Sequence, residues 1–225
     1  IIVVTYNSAK FIKETLDSIY NQTWSDLELI ITDDCSEDRT IDICENWLLE
    51  NSKRFVNTRL LTVAQNTGAS ANCNRGLSIA EGEWIKYCSG DDSLLPDCIK
   101  DNMDYISLNP EIKALFSYCR MYQENFTEDR FIGLNPGSYP THIINNKITA
   151  NEQFKLLLVS NRIPFTPSFF IHSYTRRNFA KIDDRHPLSD DYQLFLSLTR
   201  NNIKLHFMDR ETMKYRIHNE STSKQ

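Results

Sequence analysis

Several things are missing from this 225-residue chain, and each absence removes a class of function. No window approaches the ~20 consecutive apolar residues that a bilayer span needs, and no signal-peptide pattern is visible in the sequence shown. There is no strongly basic run, zinc-finger spacing or interleaved aromatic cluster, and the formal charge is -5, so nucleic acid is not an expected partner. The six cysteines, Cys35, Cys44, Cys73, Cys88, Cys98 and Cys119, fall in the first 119 residues without a CxxC pair. That argues against a zinc site and against a secreted disulfide framework, and favours free thiols in a reducing cytoplasm. A GxGxxG turn is absent after the first apolar run, which disfavours a dinucleotide dehydrogenase. The sequence has no internal repeat and no low-complexity tract. It opens without methionine on Ile1-Ile2-Val3-Val4, and both ends are expected to be trimmed.

What is present is a core-forming composition, 40% hydrophobic, and an alternation of short β-branched runs with amphipathic helical patterns through the first half. That alternation predicts a parallel sheet with crossover helices. Strands are expected at 1–5, 27–32, 60–64, 84–87 and 112–118. Helices are expected after Ser8 as a cap, at 40–50, at 69–80, and from Pro96 to Leu108. On the first helix, Lys10/Glu14 and Lys13/Asp17 are spaced as ion pairs. From Arg120 to Lys147 the pattern dissolves into a long loop or hairpin, and helical periodicity returns at 151–159 and 190–200.

Three polar clusters follow strand ends and so share one sheet edge: Thr5-Tyr6-Asn7, Asp33-Asp34-Cys35-Ser36-Glu37-Asp38 and Gly90-Asp91-Asp92. Ligands of open α/β folds bind at that edge, and adjacent carboxylates repel unless a cation or hydrogen bonds compensate. Individually, each cluster reads equally well as a helix cap or Asx turn.

Taken together, Val3-Val4-Thr5-Tyr6-Asn7, Glu28 to Asp38, Asn66-Thr67-Gly68, Asn74-Arg75-Gly76-Leu77, Ala80 to Ile85 and Gly90-Asp91-Asp92 resemble glycosyltransferase family 2 in order and spacing. The resemblance runs nearly end to end. It implies the GT-A fold, an α/β three-layer sandwich with a mostly parallel central sheet. It also implies a single catalytic domain, with a nucleotide-sugar half at 1–119 and an acceptor half at 120–225. By the same resemblance Thr5, Tyr6 and Asn7 flank the nucleotide base, Asp33 bonds it, and Asp91 and Asp92 form the acidic motif for Mn or Mg, with Asp92 as the direct ligand. Ser189-Asp190-Asp191-Tyr192 resembles the family's second acidic pair, which makes Asp191 the catalytic base. Tyr215-Arg216-Ile217-His218 resembles the closing element that brings a histidine toward metal and diphosphate, while Arg216 is placed to hold an acidic neighbour.

Two positions depart from the family pattern: Ser89 stands where an aspartate is frequent, and Cys73 where a basic residue is frequent. Arg162 to Ser168 reads equally as an acceptor-pocket wall and as a proline-stiffened connection. His142, His172, His186 and His206 have no ligand spacing. The implied activity is inverting transfer of a sugar, from a UDP-sugar donor, to a glycan or lipid-linked glycan acceptor in cell-surface polysaccharide or glycolipid synthesis. The expected place is the cytoplasm, with possible peripheral association at the inner membrane face. The rivals are a catalytically silent sugar-nucleotide or glycan-binding module and, further off, a sugar nucleotidyltransferase. The latter normally carries a glycine-rich first loop that Thr5-Tyr6-Asn7-Ser8 does not provide.

Overall fold

The computed structural model describes residues 1–139, 141–145, 147–160, 163, 165–179 and 190–219. β1 (Ile2–Thr5), β2 (Glu28–Asp33), β3 (Asn57–Leu61) and β4 (Trp84–Ser89) are parallel neighbours in the order β3-β2-β1-β4. The β-branched runs of β1 and β2 are buried on both faces, as a covered parallel sheet requires. The connecting helices are α1 (Ile12–Tyr20), α2 (Thr40–Asn51) and α3 (Ala69–Ile79). Strand order steps one way through β1, β2 and β3, then turns back to β4. Right-handed crossovers therefore put α3 on the face opposite α1 and α2. The reversal also makes the β1/β4 boundary a topological switch point, where a crevice opens at the carboxyl ends.

Close packing fixes α3. A Cβ on Gly76 would lie 2.5 Å from Ile2 Cγ2 and 2.9 Å from Thr32 Cγ2, so only glycine lets this helix approach β1 and β2 so closely.

Beyond β4 the sheet becomes mixed. It continues through β8 (Phe170–His172), β6 (Ala114–Gln123), β9 (His206–Ile217) and β5 (Ser93–Leu94), with β7 (Phe131–Asn135) as a hairpin arm on β6. The β9 strand runs parallel to β6 and antiparallel to β5. α4 (Cys98–Leu108), α5 (Ala150–Val159), α6 (Ser173–Phe179) and α7 (Asp190–Arg200) cover this half. An aromatic cluster of Phe116, Phe165, Phe169 and Phe195 packs the second half together, with ring centroids 4.7–5.5 Å apart.

Several expectations shift. α1 begins at Ile12 rather than after a Ser8 side-chain cap. The Ser8 carbonyl, not its hydroxyl, accepts the first amides, from Phe11 and Ile12, at 2.8 Å each. Asn7 (φ 48°) bends the preceding turn away from helical geometry. Lys13 pairs with Asp17 as expected, at 2.7 Å, but Glu14 turns inward to Arg216 and Lys10 lies near Glu124. The strand β3 starts three residues earlier than its apolar content suggested, because register with β2 places Asn57 beside Glu28 and Leu61 beside Thr32. Helix α4 starts at Cys98, two residues past Pro96. The excursion after Arg120 is a β6–β7 hairpin. The six cysteines are free thiols. Among the described residues no helix is long and apolar enough to cross a membrane.

Candidate active site

The turns after β1 and β2 interlock through short polar side chains. Asn7 N–H donates to Ser36 Oγ (2.7 Å), whose hydroxyl and backbone N–H donate to the two oxygens of Asp33 (2.6 and 2.8 Å). The Asn7 side-chain carbonyl accepts from Glu37 N–H at 2.8 Å. Asp33 is fully buried, so its carboxylate serves first as the anchor of its own turn, whereas the Tyr6 ring is 46% exposed. Asp38 accepts from Ala9 N–H and from the hydroxyl and amide of Thr40. Burial opposes its ionisation, yet these hydrogen bonds hold its carboxyl below the usual range.

Asp34 does work that its sequence position did not reveal. It accepts from Thr67 N–H (2.8 Å), Gly68 N–H (2.6 Å) and Thr67 Oγ1 (2.6 Å), and it pairs with Arg75 at 3.2 Å. Asn72, buried on α3, donates to the carbonyls of Thr5 (3.1 Å) and Thr32 (3.0 Å). Thus Asn66-Thr67-Gly68 and Arg75 form a clasp that holds the start of α3 onto the ends of β1 and β2. The sequence motifs had marked Asp34, Asn66-Thr67-Gly68 and Arg75 but not Asn72, and not that these residues bind one another.

At the switch point, Gly90 N–H donates to Val4 O at 2.9 Å. A Cβ on Gly90 would meet Thr5 Oγ1 at 2.6 Å and Ser8 Oγ at 3.0 Å. Thr5 is itself buried, with a hydroxyl that has no partner among the described residues. The acidic pair that follows divides its labour. Asp92 is 1% exposed; its Oδ1 accepts Arg216 N–H (3.0 Å), its carbonyl accepts the Thr15 hydroxyl (2.6 Å), and its Oδ2 is buried without a partner among the described residues. Burial, reinforced by the neighbouring Asp91 charge, pushes the Asp92 carboxyl well above its ordinary range. The Asp91 side chain, 26% exposed, instead places Oδ2 2.8 Å from His218 Nε2. The more exposed carboxylate of the pair is therefore that of Asp91, while Asp92, which the resemblance implies as the direct ligand, is buried beside it.

His218 arrives there because β5 pairs with β9, Ser93 beside Lys214 and Leu94 beside Met213, which delivers the end of β9 to the acidic turn. Arg216 fixes the arrangement. Its side chain is 2% exposed; Nε donates to Asp91 O (2.7 Å), Nη1 to Glu124 O (2.7 Å), and Nη2 pairs with Glu14. The guanidinium lies over Phe11 and Phe126, 4.4 and 3.9 Å from the ring centroids.

Asp191 sits in the first turn of α7, half-buried. Of its neighbours in the sequence motif, Ser189 lies outside the described residues. In the stretch 162–168, Arg162 and Pro164 likewise lie outside them; Phe165 is buried in the aromatic cluster and Thr166–Ser168 form a 3-10 turn. His172 packs edge-on against Trp84 and lies 3.6 Å from Glu83, a structural setting, and His186 lies outside the described residues. Ser89 is exposed and Cys73 half-buried. A cavity of about 370 Å³ opens at the opposite, amino-terminal edge, beside Ile1, Glu28 and Trp84, away from these groups.

Among the described residues no group of three or more His, Cys, Asp or Glu converges as a metal cage. Asp91 and His218, hydrogen-bonded to each other at 2.8 Å, would offer a divalent cation one carboxylate oxygen and one imidazole nitrogen, leaving other positions for phosphate and water.

A parallel half with acidic turns at its switch point, continued by a mixed half that returns a histidine to them, is the layout of the GT-A fold. The model of the family described as glycosyl transferase family 2 matches residues 1–165, and the chain belongs to that family. It is 26% identical over 224 residues to an uncharacterized glycosyltransferase of Haemophilus influenzae, covering 99% of this chain and 66% of that one. Among solved structures it resembles S. aureus TarS in complex with UDP-GlcNAc (TM-score 0.70, 20% identity, 98% of this chain and 58% of that one). It also resembles the mannosyltransferase PcManGT from Pyrobaculum calidifontis in complex with GDP-Man and Mn2+ (TM-score 0.66, 16% identity, 98% and 57%). These structural likenesses carry the fold. The chain spans less than two thirds of the length of each of these three proteins.

Proposed function

We propose that this chain transfers a sugar from a nucleoside diphosphate donor, a UDP-sugar, to an acceptor hydroxyl with inversion at the anomeric carbon. The observation that carries the reading is the Asp91–His218 pair, 2.8 Å apart at the β1/β4 switch point. The nucleotide would lie across Thr5, Tyr6, Asn7 and Asp33, with its diphosphate toward Asp91 and His218. UDP as the base-bearing group is supported by the likeness to TarS with UDP-GlcNAc, and a Mn or Mg ion by that to PcManGT with Mn2+.

Asp91 and His218 would hold the cation, with Asp92 as the buried post behind them. A bound divalent ion supplies charge neutralisation for the departing diphosphate. Asp191 accepts the proton of the incoming hydroxyl as its oxygen bonds to the anomeric carbon and the bond to the donor phosphate oxygen breaks. One base suffices because the diphosphate leaves without protonation, in contrast to the two carboxylates of a glycosidase. A glycan or lipid-linked glycan in cell-surface synthesis, met at the cytoplasmic face of the membrane, completes the reading.

The test is calorimetric titration with UDP, GDP, dTDP and CDP, each with manganese and again with chelator. Metal-dependent binding of UDP alone is expected. Binding of none of the four would leave a silent module as the better account.

A further inference from the structure

Lys86 is a buried charge whose field favours ionisation of the Asp92 carboxyl in the acidic turn, while its ammonium hydrogen-bonds elsewhere. It projects from β4, five residues before Asp91, and is 1% exposed. Among the described residues its ammonium meets a carbonyl, Pro167 O, and a thioether, Met213 Sδ at 3.7 Å, rather than a carboxylate. Burying an ammonium, even within the field of a carboxylate it does not hydrogen-bond, costs several kcal/mol by general estimates, and an apolar side chain of similar volume is often neutral or better in such a place. Stability alone therefore does not account for a lysine here.

Both partners lead to the reacting groups. Met213 lies on β9, five residues before His218, and pairs with Leu94 of β5 just past the acidic turn. Pro167 lies in the Thr166–Ser168 turn, flanked by Phe165 and Phe169. Phe169 packs on Phe195 of α7 with centroids 5.5 Å apart, and Phe195 lies one helical turn after Asp191. The same turn is tied to β6 from its other side: Ser168 Oγ accepts Ser117 N–H at 3.1 Å and donates to Phe165 O at 2.9 Å.

We propose that Lys86 is a positioning residue for glycosyl transfer, a buried strut whose ammonium holds the Pro167 turn, and through it the Asp191 helix, in register with the strand that carries Asp91. The surrounding electrostatics agree. Burial raises the thiols of Cys98 and Cys119, and the Lys86 charge is the largest influence pulling the other way at both. Removing the ammonium leaves the half-buried Pro167 O without its Lys86 donor, and the turn relaxes against α7. Donor contacts on β1, β2 and β4 are untouched, but alignment of base, acceptor and anomeric carbon is lost, which lowers the rate rather than the affinity.

The inference rests on the proposed roles of Asp91 and Asp191, and the experiment separates the two. Lys86→Met and Ser168→Ala are compared with the wild-type chain by amide hydrogen exchange, by UDP calorimetry with manganese, and by UDP release from UDP-GlcNAc with water as acceptor. The expected result is at least fivefold faster exchange in 165–169 and 191–196 with unchanged exchange in β1 and β2. UDP affinity should stay within twofold and kcat should fall at least tenfold at constant KM. Wild-type exchange in α7, wild-type kcat, or a loss of UDP affinity in step with kcat would overturn it. If Lys86→Met does not fold, Ser168→Ala, which loosens the same turn, decides by the same criteria. If the wild-type chain binds no nucleotide, the donor reading fails, and the exchange comparison still decides whether Lys86 positions α7.

Discussion

His218 Nε2 lies 2.8 Å from Asp91 Oδ2, although 127 residues separate them along the chain. The contact exists because the last strand pairs with the two-residue β5 just after the acidic turn, and because Arg216 is bonded at once to Asp91 O, Glu124 O and Glu14. The side chain that faces solvent is Asp91, and Asp92 is its buried support.

That division of labour predicts different outcomes for two isosteric changes. Asp91→Asn should weaken manganese-dependent UDP binding at least tenfold, because a cation prefers an anionic oxygen. Asp92→Asn keeps an oxygen for Arg216 N–H and should change that binding less than threefold. Titration calorimetry reads both, and the reverse ranking would return the direct ligand role to Asp92.

Arg216→Met tests the clamp. The substitution leaves two half-buried carbonyls, Asp91 O and Glu124 O, without their Arg216 donors, and hydrogen bonds to a charged group are worth about 1.5–3 kcal/mol each. Urea unfolding should show a loss of about 3 kcal/mol or more, and nucleotide binding should lose its response to manganese in whatever fraction remains folded. An Arg216→Met chain with unchanged metal response would mean that Asp91 and His218 hold their geometry unaided.

Gly90→Ala follows from a close approach rather than from backbone strain. The added Cβ would sit 2.6 Å from Thr5 Oγ1 and 3.0 Å from Ser8 Oγ, so the end of β4 must move away from β1 at the switch point. Overpacking of this kind costs about 1–3 kcal/mol. Gly137→Ala, where nothing lies within 4 Å of the new atom, is the control and should be neutral. Equal melting temperatures for the two variants would refute the steric reading.

Two histidines give the stability a pH dependence. Burial lowers the His172 pKa from 6.5, aided by Lys113 and opposed by Glu83; burial likewise lowers His206, aided by Lys204 and opposed by Glu111. Between each depressed value and 6.5 the unfolded chain binds more protons than the folded one. Unfolding free energy therefore rises with pH across that window, is complete above it, and erodes as pH falls below 6.5. The double variant His172→Gln/His206→Gln should show a flatter profile between pH 7.5 and 5.5 in urea unfolding. A slope equal to that of the wild type would show that other groups govern it.

Much of this was legible in the chain itself, and the gaps have physical causes. β1, β2, β4, α2 and α3 were visible because a doubly covered parallel sheet writes itself as β-branched runs separated by periodic helices. β9 was not, because Asp209, Arg210, Glu211, Lys214 and Arg216 interrupt its apolar pattern. Its place is set by long-range pairing with β6 and β5 rather than by its own composition. The same cause hid the site's supports: Asp34, Asn72 and Lys86 acquire their partners only when distant turns meet. The motif residues pointed to the turns at the β1/β4 switch point; which carboxylate meets His218 depended on β9.

Asp191→Asn is the substitution that separates chemistry from binding. Asp191 stands on α7, held by the aromatic cluster of the second half, whereas the nucleotide contacts proposed here come from β1, β2 and the acidic turn of the first. The amide is isosteric and cannot accept a proton at neutral pH, so the attacking hydroxyl would have to shed its proton to water. Loss of a positioned general base costs about 10²–10⁴-fold in rate. UDP release from UDP-GlcNAc should fall by that factor, while calorimetric UDP affinity stays within twofold and remains manganese-dependent. A tenfold weaker UDP affinity with unaltered turnover would move Asp191 from the proton to the nucleotide and leave the base to be sought elsewhere on the acceptor side.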